Sequence, residues 1–356
     1  MKKSLSCTLM ISNLLCTILV VAAHYNSKWL INIDSYSKLN FYFQEFISNG
    51  IARSAVPLFA LISGFFFFRE QKLHNITYLI FKKTKTILIP YTISGFMILL
   101  YYDIQKFIVK GNFVYLNDIN SFLYNIFVHP ISLQFWYLRD LIFLVILSPI
   151  IFLFNNRMKL IVLTFSFVFW ICNIQFFPIF CGWYFINSEV FFFFLLGGIF
   201  LSSNKFEKIL NIKTKDAFCI FLLWITFIYL RIWIDPYLDV WYIKKYTVKS
   251  LLLYKISILL GVVSIIKIAS FLIDYKWLVK ISGLTFFVYL FHLNPLSSIL
   301  YENTNFGEYS FYFLFPMATV ISFLTGYLMY KFIPSLYNLL TGARSPKKSM
   351  CRTSSD

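Results

Sequence analysis

Apolar runs of about 20 residues, long enough to cross a hydrocarbon core of roughly 30 Å, recur along the chain between short polar and basic segments. Such runs lie near residues 5–25, 51–68, 86–102, 135–154, 159–177, 189–202, 216–234, 250–272, 280–300 and 310–332. They are continuous rather than alternating, so a closed barrel is excluded and only helices satisfy their backbone groups in lipid. The pattern predicts an all-α integral membrane protein, a polytopic bundle of about ten transmembrane helices.

Composition agrees with lipid as the solvent. Of 356 residues, 59% are hydrophobic and 13% charged, against roughly 25% charged in a soluble domain. The net charge of +17 would point a soluble chain toward nucleic acid. Here the Lys and Arg residues sit mostly in short loops, and no basic groove with base-stacking aromatics is legible, so nucleic acid is not an expected partner. With a cytoplasmic N-terminus, the inside segments hold twenty Lys and Arg residues and the outside segments seven. That bias orients the bundle with both termini inside the cell, in the cytoplasmic membrane. The rival reading of residues 1–23 is a cleavable signal peptide, with Lys2 and Lys3 ahead of the apolar run and Ala22 and Ala23 at its end. Residues 1–340 read as one transmembrane domain, and 341–356 as a short, basic, disordered cytoplasmic tail. The six cysteines show no CxxC or CxxH spacing, so no metal is expected.

Ionisable residues inside spans are costly and usually functional. They are His24 at the end of the first span, Arg53 at the start of the second, Arg139 and Asp140 in the fourth, Glu189 opening the sixth, Arg231 late in the seventh and His292 in the ninth. Under the orientation above, all lie toward the outer face. Arg139 and Asp140 are adjacent on a helix and so do not face each other. Glu189 and Arg231 also fit the description of ordinary interface residues, and His292 that of a core histidine. Lys255 and Lys267 are read as snorkelling to opposite interfaces.

Five segments resemble the membrane acyltransferase family 3, polytopic O-acyltransferases of sugars. Arg53-Ser-Ala-Val-Pro-Leu-Phe59, continuing to Ile62-Ser63-Gly64-Phe65, is similar to that family's Arg-x-x-Val-Pro-Leu-Phe-Phe-x-x-Ser-Gly-Tyr/Phe signature. Val20-Val21 followed by His24 resembles its Val-Val-x-x-His. Phe135-Trp136-Tyr137 through Ser148-Pro149, Ser282-Gly283 through Tyr289 and His292, and Lys82-Lys83-Thr84-Lys85 before Pro90 match further elements, all in family order. Two departures stand out. The family's arginine, set ten intervening residues before the histidine, falls at Asn13, and the basic element has Lys where the family has Arg, a point charge instead of a fork.

The resemblance implies transfer of an acyl group, acetyl first among candidates, from acyl-CoA to a sugar hydroxyl of a surface polysaccharide or its lipid-linked precursor. His24 is the expected base, since its ordinary pKa lies nearest neutrality. Arg53 is expected to stabilise the oxyanion or orient the acceptor. Asp140, Glu189, Arg139, His292 and Tyr289 are supporting candidates, with Asp140 or Glu189 fixing the tautomer of His24. Lys82, Lys83 and Lys85 are candidates for the coenzyme A phosphates. At 1.5 Å per residue, His24 lies roughly 28 Å from Leu5, so a donor made inside must thread into the bundle. A transporter and a noncatalytic partner of a glycan assembly complex are the competing functions.

Overall fold

The computed structural model describes residues 3–27, 37–71, 76–175, 186–200, 203–241, 244–304 and 306–344. The described residues form helices joined by turns. In chain order these are α1 (Lys3–His24), α2 (Lys38–Ser48), α3 (Ala55–Gln71), α4 (Ile76–Lys83), α5 (Ile89–Lys110), α6 (Ile119–Leu123), α7 (Trp136–Leu153), α8 (Asn156–Ile171) and α9 (Ser188–Leu195). They continue as α10 (Ser203–Leu210), α11 (Thr214–Ile234), α12 (Val248–Phe271), α13 (Lys276–Ile281), α14 (Thr285–Phe291), α15 (Leu296–Asn303), α16 (Ser310–Phe332) and α17 (Pro334–Thr341).

Among the described residues, seven helices are long and apolar enough to cross a membrane, or eight if one bent pair is counted as a single span. The chain is thus a multi-pass helical membrane protein, with fewer full-length spans than the ten apolar runs predict. Local chemistry explains the difference. The run near 159–177 yields α8, 16 residues long. In the run near 189–202 the Asn187 side chain caps the first turn of α9, and the helix opens into a π-helical turn at Leu196–Phe200. The run near 280–300 is broken by a 72° bend between Lys276–Phe291 and Leu296–Asn303. The boundary expected after residue 340 falls inside α17, and residues 345–356 lie outside the described residues.

Apolar side chains face out as well as in. On α11, Phe218, Leu222, Tyr229 and Trp233 are exposed, and on α16 so are Phe313, Val320 and Leu324. This is the surface of a helix in lipid. α2 is inverted outright: it buries Asn40, Gln44, Glu45 and Ser48 and exposes Leu39, Tyr42 and Phe43. A polar stripe at i, i+4, i+8 turned inward makes sense only where the surroundings are less polar than the interior.

α1 runs through the middle, packed on α12, α3, α14 and the 3₁₀ turn Ile51–Ser54. Close packing of α3 on α9 depends on two glycines. A Cβ on Gly64 would strike the backbone carbonyl of Phe194, and one on Gly197 the carbonyl of Leu61. Small residues let backbones approach in a membrane, where dispersion replaces the hydrophobic effect as the driving force. Gly64→Val is therefore expected to destabilise the fold by about 1–3 kcal/mol or more. Thermal unfolding of the purified protein in detergent reads this; an unchanged midpoint would show that the α3–α9 contact is not tight.

Candidate active site

The two histidines predicted in separate spans meet. The rings of His24 and His292 lie 5.4 Å apart between centroids, tilted by 42°. Each closes a helix. His24 is the last residue of α1, and its carbonyl accepts a hydrogen bond from Tyr301 Oη at 3.4 Å. His292 caps α14, directly before the bend. The imidazole turns back onto the last turn of the helix: Nδ1 stands 2.9 Å from the Tyr289 carbonyl and 3.1 Å from that of Val288, which also accepts the His292 backbone N–H at 2.9 Å. Two carbonyls can only accept, so Nδ1 carries the proton and Nε2 presents a lone pair. That Nε2 is buried and has no partner among the described residues. Tyr25 Oη donates to the His292 carbonyl at 2.7 Å and ties the end of α1 to the end of α14.

Arg53 stands within electrostatic reach of His24. It is held by α2, which the apolar pattern leaves unpredicted. Arg53 Nε donates to Asn49 Oδ1 at 2.8 Å, Asn49 Nδ2 to Glu45 Oε2 at 2.8 Å, and Asn26 Nδ2 to Glu45 Oε1 at 3.1 Å. Arg231, only 1% exposed, donates from NH2 to the Asn49 carbonyl at 2.7 Å. Arg53 and Arg231 thus share one scaffold, built on Glu45 and Asn49.

The remaining intramembrane charges form a second network. Arg139 and Asp140, expected not to face each other, form an ion pair at 3.1 Å. The arginine is long enough to curl back on its neighbour, while its NH1 reaches the Val128 carbonyl at 3.0 Å. Asp140 also accepts the Asn187 backbone N–H at 2.9 Å. Glu189 accepts from Trp170 Nε1 at 3.0 Å and pairs with Lys255 Nζ at 3.7 Å. Lys255 does not snorkel: it is 1% exposed and lies over the Trp170 ring. Lys267 bonds the Leu210 carbonyl at 2.6 Å. Both carboxylates proposed to orient His24 are therefore engaged with other groups, and the ring beside His24 is His292.

A cavity of about 250 Å³ is lined by residues of α1, α3, α7 and α14, with Lys83 and Arg344. Its volume is just under the roughly 300–1,000 Å³ typical of drug-sized ligands, which suits a narrow arm. α1 contributes Asn13 and Thr17, and α14 contributes Thr285, Phe286 and Tyr289. Continued at helical spacing, the α1 stripe of 13 and 17 reaches 24, and the α14 stripe of 285 and 289 reaches 292. Both cavity-lining faces end on a histidine, which for α1 is roughly 16 Å beyond Asn13. Neither His24 nor Arg53 lines the cavity itself. Between them stand buried tyrosines: Tyr137, bonded to Ser63 at 3.2 Å, and Tyr289, bonded to the Gln134 carbonyl, with its ring 6.1 Å from that of His292. Of the three predicted lysines only Lys83 lines the cavity; Lys85 is exposed and lies over Phe81, and Lys82 is not among the lining residues. Asn13, where the resemblance has an arginine, does line it. No group of metal-ligating side chains occurs among the described residues.

The site is thus a pair of histidines that close two helices, α1 and α14, whose other residues line a cavity carrying two cations, inside a multi-pass helical membrane protein. The chain belongs to the acyltransferase-3 family, whose acyltransferase domain matches residues 14–331, and it is an acyltransferase. It is similar to the succinoglycan biosynthesis protein ExoH of Rhizobium meliloti (strain 1021), with 26% identity over 357 residues, 95% of this chain and 91% of the relative. No solved structure matches it.

Proposed function

We propose that the protein, in the cytoplasmic membrane, moves an acetyl or similar short acyl group from acyl-CoA to a sugar hydroxyl of a surface polysaccharide or its lipid-linked precursor. The observation that carries this reading is the convergence of the cavity-lining faces of α1 and α14 on His24 and His292, with Arg53 close by. The polysaccharide named for the similar Rhizobium protein supports a carbohydrate acceptor.

In this reading the acyl-CoA arm occupies the cavity, and its thioester passes Tyr137 and Tyr289 to reach the histidines. His24 takes the proton of the sugar hydroxyl as its oxygen attacks the thioester carbonyl. Arg53 stabilises the tetrahedral oxyanion. Collapse breaks the carbon–sulfur bond, and the proton passes from His24 to the departing thiolate. His292 is a positioning residue. With Nδ1–H held by two carbonyls, its Nε2 offers a free lone pair on a ring 5.4 Å from that of His24; accepting a hydrogen from His24 during the reaction would fix that ring's tautomer, the task expected of a carboxylate. The tyrosines must shift for the thioester to pass.

His292→Phe is expected to lower kcat about 10–100-fold, from loss of a hydrogen bond worth roughly 1.5–3 kcal/mol to a group that becomes charged. KM for the donor should stay the same, and His292→Asn, whose side-chain oxygen can accept the same hydrogen, should recover part of the rate. Equal kcat in His292→Phe and wild type would remove His292 from the account. The function as a whole is tested by mass spectrometry of surface glycan from cells with and without the gene. Loss of one acyl mass per modified sugar is expected. Loss of glycan export with unchanged composition would mean a transporter instead.

A further inference from the structure

We propose that Arg344, from the segment following the last long helix, binds the phosphate oxygens of the acyl donor at the mouth of the cavity. The inference rests on the acyl-CoA reading above and adds a residue that neither the apolar pattern nor the motifs single out. Most of the cavity wall is apolar or aromatic, and two cations, Lys83 and Arg344, stand on it. Both are half-buried, whereas Tyr137 and Tyr289 are fully buried, so the charged end is the accessible one. An anion belongs there.

Arg344 is held in place. α17 ends at Gly342, whose φ of +61° is a backbone state open to glycine, and whose Cα sits so close to the Thr86 backbone that a side chain would collide with it. The chain then turns back toward the bundle. Arg344 NH1 donates to the Thr86 carbonyl at 2.8 Å and to the Thr341 carbonyl at 3.0 Å, and the guanidinium lies 3.9 Å above the ring of Phe286, itself a cavity residue. Both hydrogen bonds of the guanidinium among the described residues use NH1. The edge formed by Nε and NH2 stays available, and it is this two-donor edge that matches a phosphate. Stacking on Phe286 holds the plane of the fork, so little freedom is lost on binding. Lys83 adds a point charge beside it. Asn13 lines the same cavity without a charge, which leaves the guanidinium of Arg344 as the planar cation on its wall.

The test compares two donors in the purified full-length protein: acyl-CoA, and acyl-pantetheine, which carries the same thioester without the nucleotide phosphates. Arg344→Gln is expected to raise KM for acyl-CoA about 10–100-fold, the equivalent of charge-assisted hydrogen bonds worth roughly 1.5–3 kcal/mol, and to leave KM for acyl-pantetheine unchanged. Arg344→Lys, which keeps the charge and loses the fork, should fall between. A structural role alone would affect both donors equally, and that outcome, or unchanged kinetics with acyl-CoA, overturns the assignment. Should Arg344→Gln fail to fold, Arg344→Lys decides the matter by the same ratio of the two KM values. Wild-type protein that consumes neither donor overturns the acyl-CoA reading and this inference together. Wild-type turnover of acyl-CoA with no selective effect of Arg344 overturns this inference alone.

Discussion

Replacing His24 with alanine is expected to lower turnover by roughly 10²–10⁴, the usual contribution of a positioned general base. His24 is the residue on which the α1 face of the cavity ends, and its ring is paired with that of His292. Since the base acts in the transition state, kcat and kcat/KM should fall together while donor KM holds steady. Thiol release from acyl-CoA by protein in detergent micelles measures this directly. The variant should fold normally, because His24 ends a helix and its one hydrogen bond among the described residues outside the helix is through the backbone carbonyl, which alanine keeps. A variant that is well folded and as fast as wild type would place the base elsewhere, with His292 and its unpartnered Nε2 the first candidate.

The second large effect concerns stability. Glu189→Ala is expected to cost about 3–5 kcal/mol, because it leaves Lys255 charged and unpaired in the interior. The lysine is 1% exposed and the carboxylate 3% exposed, and the same oxygen also receives the Trp170 indole N–H at 3.0 Å. One substitution therefore strands two donors. Adding Lys255→Met should recover much of the loss, since the uncompensated charge goes with it, although the indole stays unsatisfied. Unfolding midpoints of the single and double variants form the cycle that isolates the pair. If Glu189→Ala unfolds at the wild-type temperature, water reaches Lys255 and the pair is not a dry one.

The contrast between His24 and Glu45 shows what apolar patterning can and cannot reveal. An isolated histidine at the end of a long apolar run is conspicuous, and its partner His292 stands out for the same reason. Arg53 is visible through the Val-Pro-Leu-Phe segment that follows it. Glu45 on α2 and Asn49, which caps it, hold Arg53 and Arg231 in a segment where polar residues at every fourth position interrupt the apolar pattern. The signal was the spacing of Asn40, Gln44 and Ser48, opposite Leu39, Tyr42 and Phe43, an amphipathic helix with its faces exchanged. Lys255 was misread because a long side chain within a span usually escapes to the interface; burial of Glu189 on α9, distant in sequence, keeps it inside. The Arg139–Asp140 pair was misread for a different reason. Helical spacing governs where Cβ atoms point, but an arginine is long enough to return to its own neighbour. Arg344 lay in a stretch that composition marks as a basic tail, and only the turn at Gly342 brings it to the cavity.

Reconstitution in sealed vesicles tests the central claim most directly, since it lets donor and acceptor be offered to chosen faces of the bilayer. With acyl-CoA on the face that carries Lys83 and Arg344, and the acceptor sugar on the face of His24, acylated sugar and free thiol should appear in equal amounts. With the two faces exchanged, neither should. Transfer that requires both substrates on one face would contradict a donor threaded through the bundle to a histidine on the far side.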